Sequence, residues 1–186
     1  MSRAIKDRTI LDKFTEDFVR VAEKHAKYII VSGFVAIAHG RSRGTEDIDM
    51  IIERMQKESF VDMHRALENA GFECIQSKDP EEIYEYLVEN LSVRYIRKDV
   101  FLPEMEIKFS KDTLDEYQLK TRKKLPLTGL DFYFSSIEMN IAFKEELLKS
   151  DKDIEDAKHL RVVYSGTIDE DEIRKIKSEI KRLYLK

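Results

Sequence analysis

Asp47-Ile48-Asp49-Met50-Ile51-Ile52 is the segment that most narrows what this chain can fold into. In an extended strand successive side chains point to opposite faces, so Asp47 and Asp49 share one face while Ile48 and Met50 share the other. One side of such a strand must be buried, and the other must meet water or a cation. Two carboxylates held side by side repel unless a cation sits between them, and hard oxygen donors of this kind suit Mg²⁺. Upstream, Tyr28-Ile29-Ile30-Val31 reads as a buried strand rich in β-branched residues. It breaks at Ser32-Gly33, a small pair that lets backbone amides approach a phosphate closely. Phe34 to His39 resumes as a short helix, Gly40 to Gly44 is a basic loop carrying Arg41 and Arg43, and Glu46 to Ile52 is the second strand.

The rest of the chain reads as alternating helices and short strands. Leu11, Phe14, Phe18, Val21 and Ala22 form a helical stripe between about Thr9 and His25. Phe60, Met63, His64 and Leu67 give a second helix over Ser59 to Ala70, stopped by Gly71. Phe72 to Gln76 and Leu91 to Ile96 are short strand candidates. Between them, Asp79-Pro80-Glu81-Glu82 has the chemistry of an N-cap, an N1 proline and an acidic first turn. Met105, Ile107 and Phe109 alternate with Glu106 and Lys108, a further half-buried strand. Leu114 to Lys124 is expected to be helical in part and Leu130 to Phe134 to be a strand. Ser135-x-x-Glu138 matches a capping box opening a helix to about Ser150, Asp151 caps another to about Tyr164, and Asp169 to Leu185 closes the chain as an amphipathic helix.

Composition excludes several classes. With 186 residues, 42% hydrophobic and 38% charged, the chain can bury one substantial domain and is not disordered. Its net charge of −4 argues against a basic face covering the whole molecule. Cys74 is alone, so an internal disulfide is excluded and a reducing, cytoplasmic location is expected. No signal peptide or membrane span is legible, and Tyr28 to Ala38 is too short to cross a bilayer. The histidines lack metal-ligand spacing, and the P-loop, dinucleotide-binding and serine-hydrolase glycine patterns are all missing.

Among the chemistry-bearing residues, Asp47 and Asp49 are either a cation site or two solvated carboxylates. Glu106, which alternates out of an apolar strand, is the preferred third acid. Asp99 is its rival, disfavoured because Pro103 would interrupt a central strand there. Lys144 falls on the stripe Ile137, Ile141, Lys144, Leu148, where an unpaired ammonium is costly. Either its stem reaches the rim or it meets an anion. Asp153 and Asp156 read as an acidic first turn favoured by the helix dipole. Arg41 and Arg43 are either phosphate contacts or ordinary surface arginines. Lys120, Arg122, Lys123 and Lys124 are the strongest local basic patch, normally a solvated face.

Taken in order, Ile30-Val31-Ser32-Gly33, Thr45-Glu46-Asp47-Ile48-Asp49 and Met105-Glu106-Ile107 resemble the pattern of the nucleotidyltransferase superfamily, whose fold DNA polymerase β shares. The stretches Ser136 to Lys144 and Lys152-Asp153-Ile154-Glu155-Asp156-Ala157 resemble minimal archaeal and bacterial members related to abortive-infection toxins. The resemblance implies an α/β (α+β) nucleotidyltransferase fold, with a mixed sheet packed by helices. Residues 1–134 would form the core and 135–186 a helical C-terminal region. It further implies Mg²⁺ held by Asp47, Asp49 and Glu106, with an NTP contacted by Ser32, Gly33, Arg43 and Lys144. The NMP group would pass to an RNA, protein or small-molecule acceptor. A binding module without turnover, or a toxin with an antitoxin partner, are the alternatives. This chain departs from the usual pattern in having Ser-Gly rather than Gly-Gly or Gly-Ser at the turn, and Glu rather than Asp as the third acid.

Overall fold

The computed structural model describes residues 8–45 and 47–185, so Glu46, expected to open the second strand, lies outside the described residues. Five strands form one mixed sheet: β1 (Tyr28–Val31), β2 (Asp47–Ile52), β3 (Phe72–Cys74), β4 (Val93–Arg97) and β5 (Val100–Phe109), in the order β1-β2-β5-β4-β3. Only β2 and β5 run parallel; the other neighbours are antiparallel. The helices are α1 (Ile10–Ala22), α2 (Gly33–Ala38), α3 (Lys57–Asn69), α4 (Pro80–Val88), α5 (Thr113–Lys120), α6 (Ile137–Phe143), α7 (Asp151–Val163) and α8 (Glu170–Tyr184).

The alternation read from the sequence sets the two faces of the sheet. Ile48, Met50 and Ile52 of β2 and Met105, Ile107 and Phe109 of β5 are all buried on one side. There they meet α1 and α3 through edge-on ring contacts, Phe18 with Tyr95 and Phe72, and Phe60 with Phe109. Each such fully buried aromatic or aliphatic side chain contributes roughly 1.5–3 kcal/mol, so this layer is the main source of stability. The opposite face carries Asp47, Asp49, Glu104, Glu106 and Lys108, all partly exposed. Further along that face, Leu119 of α5 covers Ile29 and Ile51.

Helix starts follow the capping chemistry. Thr9 and Asp12 form a reciprocal capping box on α1, and Asp79 with Pro80 opens α4. Three expectations need correction. α6 is capped by Ser136, not Ser135, because the Ser135 hydroxyl is buried and donates to Gln118. Likewise Ser150, not Asp151, caps α7, its hydroxyl accepting from the Asp153 amide. Leu130 to Phe134 is not a regular strand: it runs beside β1 with single bridges at Phe134, to Ile30 on one side and Lys123 on the other.

β5 is longer than its alternating stretch because Pro103 lies within it. Among the described residues the β2–β5 ladder starts at Asp47 opposite Glu104, one residue beyond Pro103. Beyond α6, Lys144–Leu148 forms a widened π turn closed by the Lys149 amide on the Lys144 carbonyl. The extra residue breaks the expected stripe, leaving Lys144 buried and Leu148 exposed.

Candidate active site

The β2–β5 register places Asp49 directly opposite Glu106, and the strand period puts Asp47 on the same face. One carboxylate oxygen from each of Asp47, Asp49 and Glu106 lies within 4.8 Å of the others. The three side chains are partly exposed, which leaves them open to a ligand. Asp99 lies in the β4–β5 turn with φ of 64°, five residues before Glu104 along β5 and roughly 16 Å from it at the rise of an extended strand. The structure therefore brings Glu106, and not Asp99, to the aspartates.

The electrostatics follow from that crowding. Burial, then the neighbouring Asp47 charge, push Asp49 up to about 6, with Glu106 adding to the rise and a hydrogen bond from Ser32 opposing it. Thr45 Oγ1 donates to Asp47 Oδ1 at 2.9 Å, fixing that carboxylate at the strand entrance. Glu106 has a counter-ion that the sequence did not announce. Arg94 of β4 stands opposite it in register and donates from Nε at 3.0 Å, while also lying 3.4 Å from Glu104. Three hard oxygen donors of like charge, one of them pushed up by burial and by its neighbours, fit a divalent oxygen-loving cation such as Mg²⁺.

Ser32 follows Val31, which pairs with Asp49, and so lies beside that carboxylate. Its backbone sits at φ 66°, ψ −136°, a region costing a non-glycine residue on the order of 1–3 kcal/mol. Ser32→Gly removes the strain, whereas Ser32→Ala keeps it and loses the hydroxyl. Urea unfolding should find the glycine variant about 1–2 kcal/mol more stable than the alanine variant; equal midpoints would show an unstrained turn.

Gly33, at the start of α2, is closely approached by the Arg43 side chain. A Cβ there would lie 3.0 Å from Arg43 Nη2 and 3.1 Å from its Cζ. Arg43 is held over the turn by Asp156 of α7, and Arg41 reaches the same carboxylate. Lys144 is the third cation on Asp156, at 2.8 Å, with Asp153 at 3.2 Å. Lys144 thus neither snorkels nor stands free: its buried ammonium meets protein carboxylates. Asp156 is fully buried at the hub of this cluster, a role its place near the start of a helix did not reveal. The signal lay in the surplus of cations, Arg41, Arg43 and Lys144, that needed a buried anion.

A cavity of about 330 Å³ opens beside the acids. Ser32, Asp49, Lys108 and Lys144 stand at one side, and Met139, Phe143 and Tyr184 are among the residues of its α6 and α8 walls. Asp115 and Gln118 of α5 add a polar wall, Gln118 Nε2 donating to Asp115 Oδ1 at 3.2 Å. Burial raises Asp115 above the usual carboxylate range.

No family profile matches the chain, and no curated protein matches it by sequence. Solved structures do match it in shape. The solution structure of the antibiotic-resistance factor ANT(2'')-Ia superposes with a TM-score of 0.55 at 12% identity, covering 94% of this chain and 93% of that one. The crystal structure of ANT(2'')-Ia in complex with adenylyl-2''-tobramycin gives 0.54 at 15% identity, over 95% and 99%. An antigenic nucleotidyltransferase-like protein from Paracoccidioides brasiliensis gives 0.52 at 14% identity, over 95% and 90%. The chain shares the fold of these solved structures, the fold that its motif order implied. Among the described residues no helix is long and apolar enough to cross a membrane.

Proposed function

We propose that this protein is a Mg²⁺-dependent nucleotidyltransferase that moves an NMP group from an NTP to an acceptor hydroxyl, forming a bond to the α-phosphorus as the α–β anhydride breaks and pyrophosphate leaves. The observation that carries the reading is the convergence of Asp47, Asp49 and Glu106 beside the Ser32-Gly33 turn, on a fold shared with nucleotidyltransferases. The three carboxylates would hold the metal, which when bound supplies charge neutralisation for the triphosphate and makes the attacking hydroxyl more acidic. The chain's own groups do the rest. Ser32 and the amide of Gly33 bind phosphate oxygens at the start of α2, and Arg43, braced by Asp156, adds positive charge over the same turn.

The cavity walled by Met139, Phe143 and Tyr184 takes the nucleoside. Its volume of about 330 Å³ is at the lower end of small-molecule sites, roughly 300–1,000 Å³. In this reading residues 1–134 supply the acids and the turn, while 135–186 supply the far wall and the cations' anchor.

Incubating the protein with labelled NTP, Mg²⁺ and a mixture of RNA and protein acceptors tests it. Label transfer should fall at least about 100-fold in Asp47→Asn, the scale of losing one charge-stabilising group in a site. Transfer undiminished in that variant would sink the mechanism. NTP binding by calorimetry without transfer in the wild type would instead assign a binding module.

A further inference from the structure

The cations at the far end of the sheet have no role in the site described above. They line a trough made of two clefts that share Lys27, Glu53 and Arg122; Glu23 and Glu116 line it as well, so its five cations stand against three carboxylates. Lys24 stands at one end and Arg54 and Lys120 at the other, with Lys123 next to Arg122 in the chain. Elsewhere in this acidic chain, cations are mostly matched with carboxylates, as in Lys57 with Glu85, Arg97 with Asp17 and Arg161 with Glu145. Here the matching fails.

Arg122 donates to the Tyr28 carbonyl and lies 4.1 Å over the Tyr133 ring. Arg54 donates to the Ser110 carbonyl and to Asn90. Both are fixed by neutral partners, so their charge is unspent. Among the described residues Lys24, Lys120 and Lys123 have no carboxylate within salt-bridge distance, while Lys27 and Lys124 do, on Glu53 and Asp131.

The position of the trough relative to the acids gives this surplus a direction. Asp47, Asp49 and Ile51 alternate along one face of β2, and Glu53 continues them into the trough. The trough and the acid cluster therefore lie on the same side of the sheet, separated by α5. From Asp49 to Glu53 is roughly 13 Å at the rise of a strand. Because α5 fills that direct line, a flexible polyanion seated in the trough reaches the acids by the longer way over the outer side of the helix, which is about 10 Å across and where Lys120 is exposed.

We propose that this trough binds the phosphodiester backbone of a single-stranded nucleic acid and delivers its terminal hydroxyl to the acid cluster. The binding claim stands on the trough alone; the delivery claim rests on the transferase reading. A phosphodiester strand answers both observations, because it brings regularly spaced anions for the unmatched cations and ends in the hydroxyl the acids would activate.

The test is fluorescence polarisation with labelled RNA and DNA oligonucleotides of one sequence, without NTP, at 50 and 200 mM salt. Binding should weaken steeply with salt, since each phosphate contact contributes about −0.7 to the log–log slope for single strands. Lys120→Glu/Lys123→Glu and, separately, Lys24→Glu should each lower affinity about tenfold or more with unchanged thermal unfolding. Lys175→Glu, on exposed α8, should leave binding as it was. Tight binding of RNA, DNA or both, lost in the trough variants, supports the surface, and the two arms say which strand it takes. Binding unchanged by charge reversal, or binding of a polyglutamate peptide in place of either oligonucleotide, overturns it.

Adding labelled NTP and Mg²⁺ separates the two readings. Asp47→Asn should bind the strand as the wild type does yet fail to label it. A wild type that binds and never labels would defeat delivery while leaving the surface intact.

Discussion

Replacing Asp156 with alanine is expected to remove about 3–5 kcal/mol of folding stability, the scale of breaking a buried ion pair from one side. The carboxylate is fully buried and receives Arg41, Arg43 and Lys144. Arg41 and Arg43 retain some solvent access and can turn outward once released. Lys144 cannot, being 1% exposed, and keeps only Asp153. The loss is a large share of the roughly 5–15 kcal/mol that holds a domain together. Urea unfolding measures it, and a change below about 1 kcal/mol would contradict the geometry.

The double variant Asp156→Leu/Lys144→Met separates charge from packing. Because it removes the buried ion along with its partner, it should be more stable than Asp156→Leu alone. A functional consequence follows as well. With Asp156 gone, the Arg43 guanidinium keeps only a long hydrogen bond to the neighbouring Gly44 carbonyl, so NTP affinity should fall even in protein that remains folded.

The contrast between Asp156 and Asp47 shows which parts of this site a sequence discloses. Asp47, Asp49 and Glu106 were legible because each announces itself within its own strand: a carboxylate alternating with apolar residues has only one face to go to. Their convergence then needs only that two such strands be neighbours. Asp156 is different. Two of its three partners lie 113 and 115 residues away, the third sits on a different helix, and a window around it shows only acids near the start of a helix, for which the dipole is explanation enough.

Arg94 was missed for the same reason, since its tie to Glu106 exists only through the β4–β5 register. Pro103 misled because a proline rule for central strands treats the whole strand alike, whereas the described β2–β5 pairing begins at Glu104, just past the proline. The π turn after α6 is invisible to a periodicity argument that fixes 3.6 residues per turn in advance. Local chemistry was readable; long-range ion pairing and departures from ideal periods were not.

Asp49→Asn should abolish transfer and yet make the metal-free protein more stable. The carboxyl is pushed up to about 6 from 3.8 by burial and then by Asp47, so the folded state prefers it protonated. Between these two values the folded protein binds more protons than the unfolded chain. Stability therefore falls as pH rises through that window and is lowest above it. The shift corresponds to about 1–3 kcal/mol at neutral pH. Asparagine removes the charge while its amide oxygen can still accept from Ser32. The variant should accordingly melt higher than the wild type at pH 7.5, and the two should converge near pH 4.

Added Mg²⁺ reverses the order, since a cation among Asp47, Asp49 and Glu106 stabilises the ionised wild type and has one fewer charge to bind in the variant. Thermal unfolding at pH 4.5 and 7.5, with and without Mg²⁺, reads all four states. An Asp49→Asn protein less stable than the wild type at pH 7.5 without metal would mean that burial and the neighbouring carboxylates do not disfavour the ionised Asp49. The fold keeps a strained serine and a disfavoured carboxylate side by side, at the place where a cation would relieve the charge and then draw in a phosphate.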